Sequence, residues 1–357
     1  MTVSLTHISQ ATDRFDEEHV FDSDQRSLHY LKTLCGRLGI LPSYFTIEKA
    51  SLEKIEEWPR SNGYFADVYR GRYGSTEVAF KVFRIFYGKP LYQLKRDFCS
   101  EAIIWKRLKH DNVLPFLGIS TTLFPLCMIS PWMFHGSVVE YLEENPSADK
   151  PKLLKEIATG IEYLHTKRLV HGDLKGSNIL VGKDRSARLA DFGLATLAYT
   201  SPTLQTATSR SGGTIRWMAP ELFQSEQDRD SSRPSFKSDI YALGMVMYEI
   251  FTGKLPFFEL HHDIAVMGEI LHAARPTKPL QLEFSETYWR IMNTCWDSDA
   301  VRRPTISNFL TYLNPPSTDD VDSSGMDIPS FLEFSSYVVS MPSRPFSHLL
   351  RQLWPSY

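Results

Sequence analysis

The sequence predicts an α+β chain of two lobes, a small β-rich one followed by a larger helical one. Three observations carry this. Strand-like pieces dominate from Trp58 to about Ser130, with one helical interruption over Leu91 to Lys109. After Gly136 the apolar spacing turns helical. The 357 residues, 42% hydrophobic and 23% charged, exceed one small domain and suffice for two lobes around a cleft, where a ligand is expected.

Residues 1 to about 23 are polar and mixed, without periodicity. From Asp24 to Gly39, Leu28, Leu31, Leu34 and Leu38 recur every three or four residues, which predicts an amphipathic helix ended by Gly39. Such a helix docks on the main body or binds a partner. The body is expected over 55–314, its first lobe over 55–130 and its second over 131–314, after an extension, 1–54, that carries this helix. Residues 315–357, rich in Ser and Pro, are expected to be a mostly flexible tail.

Within the first lobe, the strand Glu77 to Phe83 alternates, so Ala79 and Lys81 face one way and Val78, Phe80 and Val82 the other. In the helix that follows, Leu94, Phe98, Trp105 and Leu108 form an apolar stripe, and Glu101 falls on it. A carboxylate there is costly unless a cation meets it, and Lys81 is the natural partner. Residues 112–139 carry no Asp, Glu, Lys or Arg, but Pro115, Gly118, Pro125, Pro131 and Gly136 break them into short strands and turns rather than a membrane span. In the second lobe, Leu154, Ile157, Ile161 and Leu164 make one helical face. The segment Ser238 to Thr252 is apolar nearly all round, the mark of a central helix.

Bulk properties exclude several functions. A net charge of −3 and a pI near 6.4 give no electrostatic case for nucleic acid. Cys35, Cys99, Cys127 and Cys295 are scattered without a CxxC pair, as expected of free thiols in a reducing compartment. Met1 to Gln10 shows no basic cluster followed by an apolar run, and Pro355-Ser356-Tyr357 is no prenylation box. An intracellular, cytoplasmic protein without membrane insertion is the expectation.

The chemistry concentrates in His171-Gly172-Asp173-Leu174-Lys175-Gly176-Ser177-Asn178, followed thirteen residues later by Asp191-Phe192-Gly193. Together they offer a carboxylate able to accept a hydroxyl proton and two oxygen ligands suited to Mg²⁺. With Lys81 and Glu101, this ordered set resembles a eukaryotic protein kinase domain. The resemblance runs from about Trp58 to Leu313, and Arg216-Trp217-Met218 with the Trp105 helix is most like the tyrosine-kinase-like group. It implies the bilobal kinase fold, ATP and Mg²⁺, and a protein substrate phosphorylated in intracellular signalling. Asp173 would accept the hydroxyl proton and Lys175 neutralise the transferring phosphoryl group, while Asn178 and Asp191 hold the metal. The Lys81–Glu101 pair would secure the phosphates. Adenine and phosphates would lie against Ser61, Gly63, Phe65, Val68, Ala79, Ser130, Pro131 and Met133. Thr214 would line the pocket for a Ser or Thr hydroxyl, a specificity for which Lys175 also speaks. Asp239 would brace the catalytic loop, and Arg303 would pair with Glu221 of Ala219-Pro220-Glu221.

The chain departs from the pattern in three places. Of the phosphate loop's three glycines, only Gly63 remains in Ser61-Asn62-Gly63-Tyr64-Phe65-Ala66-Asp67-Val68, which weakens the case for close phosphate approach. Gly172 stands where many kinases have arginine, removing an anchor for a phosphate on the segment Leu194 to Met218, which nevertheless holds nine Ser or Thr and Tyr199. Pro131 cannot donate a backbone N–H, leaving its carbonyl and the Met133 N–H for the adenine edge. Two other functions therefore stay open: a pseudokinase scaffold that keeps the fold without transfer, and a kinase-fold phosphotransferase acting on small molecules.

Overall fold

Antiparallel pairing builds the first lobe of the computed structural model, which describes residues 25–62, 66–85, 90–193, 196–197, 214–223, 233–278 and 285–313. Six strands form one sheet: β1 (Leu52–Lys54), β2 (Ser61–Asn62), β3 (Ala66–Tyr73), β4 (Thr76–Phe83), β5 (Gly118–Ser120) and β6 (Cys127–Pro131). Their order is β1-β3-β4-β6-β5, with β2 paired to β3. The alternation of β4 decides its two faces. Val78 and Phe80 are buried with Leu52, Cys127 and Ile129 under one side, while Ala79 and Lys81 lie half-buried on the other. The sheet opens at Leu52, paired with Tyr73, ahead of the expected boundary at residue 55, because the extension supplies its first strand.

Helix α1 (Gln25–Leu38) ends as the leucine spacing implies. Gly39 takes φ +65°, which a side chain would resist, and its N–H donates to the Cys35 carbonyl at 2.7 Å. Helix α2 (Leu91–Lys106) stops three residues short of the expected Lys109. There the Arg107 and Leu108 N–H groups donate to Ile104 and Trp105 carbonyls at 3.2 and 3.0 Å, a tightened last turn that returns Leu108 to the core. The charge-free stretch 112–139 folds as β5, β6, turns and the start of the next helix. Among the described residues no helix is long and apolar enough to cross a membrane.

The second lobe holds α3 (Val138–Glu144), α4 (Lys150–Thr166), α5 (Phe236–Thr252), α6 (Asp263–Leu271), α7 (Glu286–Cys295) and α8 (Ile306–Leu313). Between them run the short strands β7 (Leu169–Val170), β8 (Ile179–Val181), β9 (Ala187–Leu189) and β10 (Thr196–Leu197). Helix α5 begins two residues before the expected Ser238 because Ser235 caps it: the Ser238 N–H donates to Ser235 Oγ at 3.1 Å, and the Ser235 N–H to Ser238 Oγ at 2.8 Å. Every side chain from Ser238 to Ile250 is buried, so α5 is the centre of its lobe. One apolar core runs through both lobes, from Leu31, Cys35 and Phe98 through Trp105 and Phe192 to Leu164 and Met245. The residues expected to form a flexible tail, 315–357, lie outside the described ones.

Arg303 clamps the second lobe. Its guanidinium, wholly buried, donates to both Glu221 oxygens at 2.7 and 2.8 Å and to the Asp297 and Lys237 carbonyls at 2.9 and 3.0 Å. Removing one partner of such a pair strands a charge in the interior. Arg303→Ala is expected to lower the unfolding free energy by about 3–5 kcal/mol, read by urea denaturation followed through tryptophan fluorescence. A loss under about 1 kcal/mol would show the pair to be dispensable.

Candidate active site

The site is built upward from α5. The buried Asp239 carboxylate accepts the backbone N–H groups of His171 and Gly172, both at 2.9 Å, and lies 3.0 Å from His165 Nε2. These bonds set the entry of the loop between β7 and β8. Gly172 sits there at φ +78°, a conformation that costs a residue with a Cβ about 1–2 kcal/mol and glycine nothing. Glycine here, read from the sequence as the absence of a phosphate anchor, thus also suits the backbone. At the loop's far end a second α5 carboxylate, Glu249, accepts the Gly176 N–H at 2.9 Å and the Trp217 indole N–H at 3.1 Å, both on one oxygen. Burial pushes Glu249 up to about 7 despite these two donors and the nearby Lys175.

Between those anchors the loop presents its polar groups. The Asn178 amide donates to the Asp173 carbonyl and to Asp173 Oδ2, both at 2.8 Å. Lys175 Nζ lies 3.1 Å from the same Oδ2 and donates to Thr214 Oγ1 at 2.9 Å. Asp173 Oδ1 is buried without a hydrogen-bond partner among the described residues. Such an acceptor is costly to leave unmet, so this one fits a donor brought by a ligand.

The first lobe supplies charge from the opposite side. Lys81 Nζ stands 2.6 Å from Glu101 Oε1 and 3.0 Å from Asp191 Oδ1. Burial alone would lower Lys81, but Asp191 and Glu101 hold it above the usual lysine range. Burial pushes Glu101 up against the pull of Lys81. Desolvation likewise opposes the charge on Asp191, yet Lys81, backed by Lys175, holds its carboxyl at about 2. Asp191 adopts φ +64°, sparsely populated for a residue with a Cβ but tolerated by aspartate. Beside it Phe192 is fully buried, its ring 5.9 Å from Trp105 and 5.5 Å from His171. Trp105 in turn donates its indole N–H to the Leu114 carbonyl at 2.6 Å. Helix α2 is thereby seated with Glu101 facing the lysine.

Strand register completes the first-lobe side. Val68 stands opposite Lys81, and Ala79 opposite Ser130, so period two places all four on one face of the sheet. Past β6, the Trp132 N–H donates to the Glu77 carbonyl at 3.0 Å, and the Gly136 N–H to the Met133 carbonyl at 3.2 Å, which turns the chain through a buried Met133 into α3. Pro131 pairs with Val78 at the end of the strand. Ser61 lies in β2 opposite Val68. Gly63 and Phe65 fall outside the described residues.

A divalent cation fits the second-lobe donors. The Ala190 N–H donates to the Asn178 carbonyl at 2.9 Å, so β8 and β9 bring Asn178 beside Asp191. With the Asn178 amide nitrogen spent on Asp173, its oxygen remains, and Asp191 Oδ2 accepts no hydrogen bond among the described residues. Two hard oxygens suit Mg²⁺, which takes its other ligands from phosphate and water.

Sequence reasoning did not single out Glu249 or His165, and it used Arg216 only as a mark of the tyrosine-kinase-like group. Arg216 is buried and donates to the Pro256, Phe257 and Leu260 carbonyls at 2.9, 2.8 and 2.7 Å, pinning the segment after Thr214 to the approach of α6. The argument that found Glu101, a carboxylate on an apolar face, applies equally to Glu249 in the apolar α5.

Residues 60–313 match the family model described as protein tyrosine and serine/threonine kinase. The chain is 32% identical over 260 residues to the serine/threonine-protein kinase STY46 of Arabidopsis thaliana, covering 71% of this chain and 42% of that protein. It is 29% identical over 283 residues to the serine/threonine/tyrosine-protein kinase HT1 of the same plant (74% of this chain, 70% of HT1). Against the human tyrosine-protein kinase FRK the figures are 27% over 334 residues, 85% of this chain and 62% of FRK.

The raised Glu249 makes a pH prediction. A carboxyl raised by folding stabilises the protein fully below its unfolded value, and that contribution is lost as pH rises to about 7. Glu249→Gln keeps one oxygen for both N–H donors and removes the titration. Urea unfolding should therefore show the variant gaining on the parent between pH 5 and pH 8. An unchanged difference across that range would mean Glu249 stays charged throughout.

Proposed function

Because the chain belongs to the protein tyrosine and serine/threonine kinase family, we propose that it is an active kinase transferring the γ-phosphoryl group of ATP, with Mg²⁺, to Ser or Thr hydroxyls of proteins. The observation that carries this reading is the unpartnered, buried Asp173 Oδ1 beside a lysine that bridges Asp173 and Thr214.

On this reading a substrate hydroxyl donates to Asp173 Oδ1. Asp173 takes its proton as the oxygen bonds to the γ-phosphorus and the bond from that phosphorus to the β–γ bridging oxygen breaks, leaving ADP. Asn178 holds Asp173 in line through one bond to its carboxylate and one to its backbone carbonyl. Lys175 offsets charge on the transferred group, and Thr214 fixes where that ammonium sits. Lys81, seated by Glu101, holds the phosphates. Asn178 and Asp191 supply the protein oxygens for Mg²⁺, which when bound neutralises phosphate charge. Val68, Ala79 and Ser130 offer adenine an apolar and small-residue face, with the Pro131 carbonyl and Met133 N–H at its edge.

Support for serine/threonine specificity comes from Lys175, the residue the resemblance ties to it, here bonded to Thr214 beside Asp173. STY46 is named a serine/threonine kinase, while HT1 and FRK carry tyrosine in their names. A scaffold without transfer has no physical need to set Lys81 between Asp191 and Glu101, a carboxylate whose burial is costly. The protein's substrates and signalling partners, and a cytoplasmic place for it, belong to the same proposal.

The test compares the full chain with Asp173→Asn for γ-phosphoryl transfer to a generic Ser/Thr protein substrate, with phosphoamino-acid analysis of the product. Transfer should fall by about 10²-fold or more while nucleotide binding is kept, and the product should be phosphoserine or phosphothreonine. Nucleotide binding without transfer by the parent would establish the pseudokinase instead. Transfer to sugars, aminoglycosides or choline but not to protein would establish the small-molecule enzyme.

A further inference from the structure

Helix α1 lies outside the matched family segment, which begins at residue 60, yet it is packed into the element that carries Glu101. Leu31 and Cys35, one turn apart on α1, are buried in one apolar cluster with Leu94, Phe98, Cys99 and Ile103 of α2. The two helices meet closely. A Cβ at Gly36 would stand 2.9 Å from Arg96 Cγ, and one at Gly39 would stand 2.9 Å from Lys95 Cδ. Burial, with the neighbouring Cys35 thiol, pushes Cys99 up to about 12. Lys95, Arg96 and Cys99 thus mark the α1-facing side of α2, next to the stripe of Leu94, Phe98, Glu101 and Trp105.

The chain then runs round the other end of α2. Phe45 is fully buried, its ring 6.1 Å from Phe116, which lies 5.3 Å from Trp105. Lys106 Nζ, on the last turn of α2, stands 5.9 Å from the Tyr44 ring and 5.8 Å from the Phe45 ring. The Ile47 N–H donates to the Ile119 carbonyl at 2.9 Å, covering the outer edge of β5. Residues 31–47 therefore grip α2 along one side and at its C-terminal end and are tied to the sheet on which α2 rests.

We infer that this segment is part of the phosphotransfer machinery, with Leu31 and Cys35 as positioning residues that hold α2 where Glu101 meets Lys81. The inference rests on the kinase reading and adds a dependence of the rate on residues outside the family match. A free α2 can rotate or slide, and displacing Glu101 would leave Lys81 to Asp191 alone. Packing from α1 removes that freedom by occupying the side of α2 turned away from the cleft.

The experiment uses the full chain carrying Leu31→Ala. The expected result is a fall in kcat of about tenfold, with the KM for a peptide substrate unchanged within about twofold, and faster hydrogen exchange in the amides of Phe98 to Trp105. Leu31→Met, which keeps the volume, restores the parent rate. In a Glu101→Ala background, where the pair is absent, Leu31→Ala lowers kcat by less than about twofold. A helix that merely stabilises the lobe would give the same fold loss in both backgrounds, and that result, or unchanged α2 exchange, overturns the inference. Cys35→Ala, a smaller deletion at the same contact, gives the same pattern at reduced size if Leu31→Ala proves too unstable to purify. A parent that transfers nothing defeats the kinase reading, and the exchange data then decide alone whether α1 holds α2.

Discussion

A helix buried on all sides has no water to solvate a carboxylate, and α5 carries two. Each must find donors within the protein. Asp239 takes the His171 and Gly172 N–H groups, and Glu249 takes the Gly176 N–H and the Trp217 indole. The loop bearing Asp173 and Lys175 is therefore held at both ends by the most buried element of the lobe. That arrangement keeps a loop precise without regular structure of its own, because each anchor is paired and inaccessible to competing water. Trp217 carries the constraint onward to the segment around Thr214, so the groups that would meet a substrate hydroxyl share one support.

The opposing half of the site depends on balance between charges rather than on anchoring. Lys81 is flanked by Glu101 and Asp191, and both carboxylates hold its ammonium charged against the cost of burial. Its geometry requires α2, from the first lobe, and Asp191, from the second, to hold fixed places. Continuous packing achieves this: Trp105 of α2 meets Phe192, and Phe192 meets His171. Cleft chemistry and lobe packing are thus one problem, and α1 enters it by filling the outer side of α2.

The sequence by itself determined the kinds of element and the identity of most polar groups in the cleft. Alternation in β4 told which side Lys81 faces, and the stripe of α2 exposed Glu101 as a carboxylate needing a cation, because period and spacing are local properties of the chain. Boundaries were less legible. Helix α5 starts at its serine cap and α2 stops at a tightened turn, both set by backbone bonds that composition does not record. Gly172 shows a deeper limit: the sequence registers a missing arginine, whereas the backbone at φ +78° explains why glycine suits the place. Which groups touch was decided only by the tertiary structure. Lys81, Glu101 and Asp191 come together across 110 residues of chain, and Glu249 acquires a role because Gly176 and Trp217 are folded against it. Such contacts arise from packing two lobes on one core, where the cost of burying a charge selects its partner, and that cost exists only once the chain has closed around it.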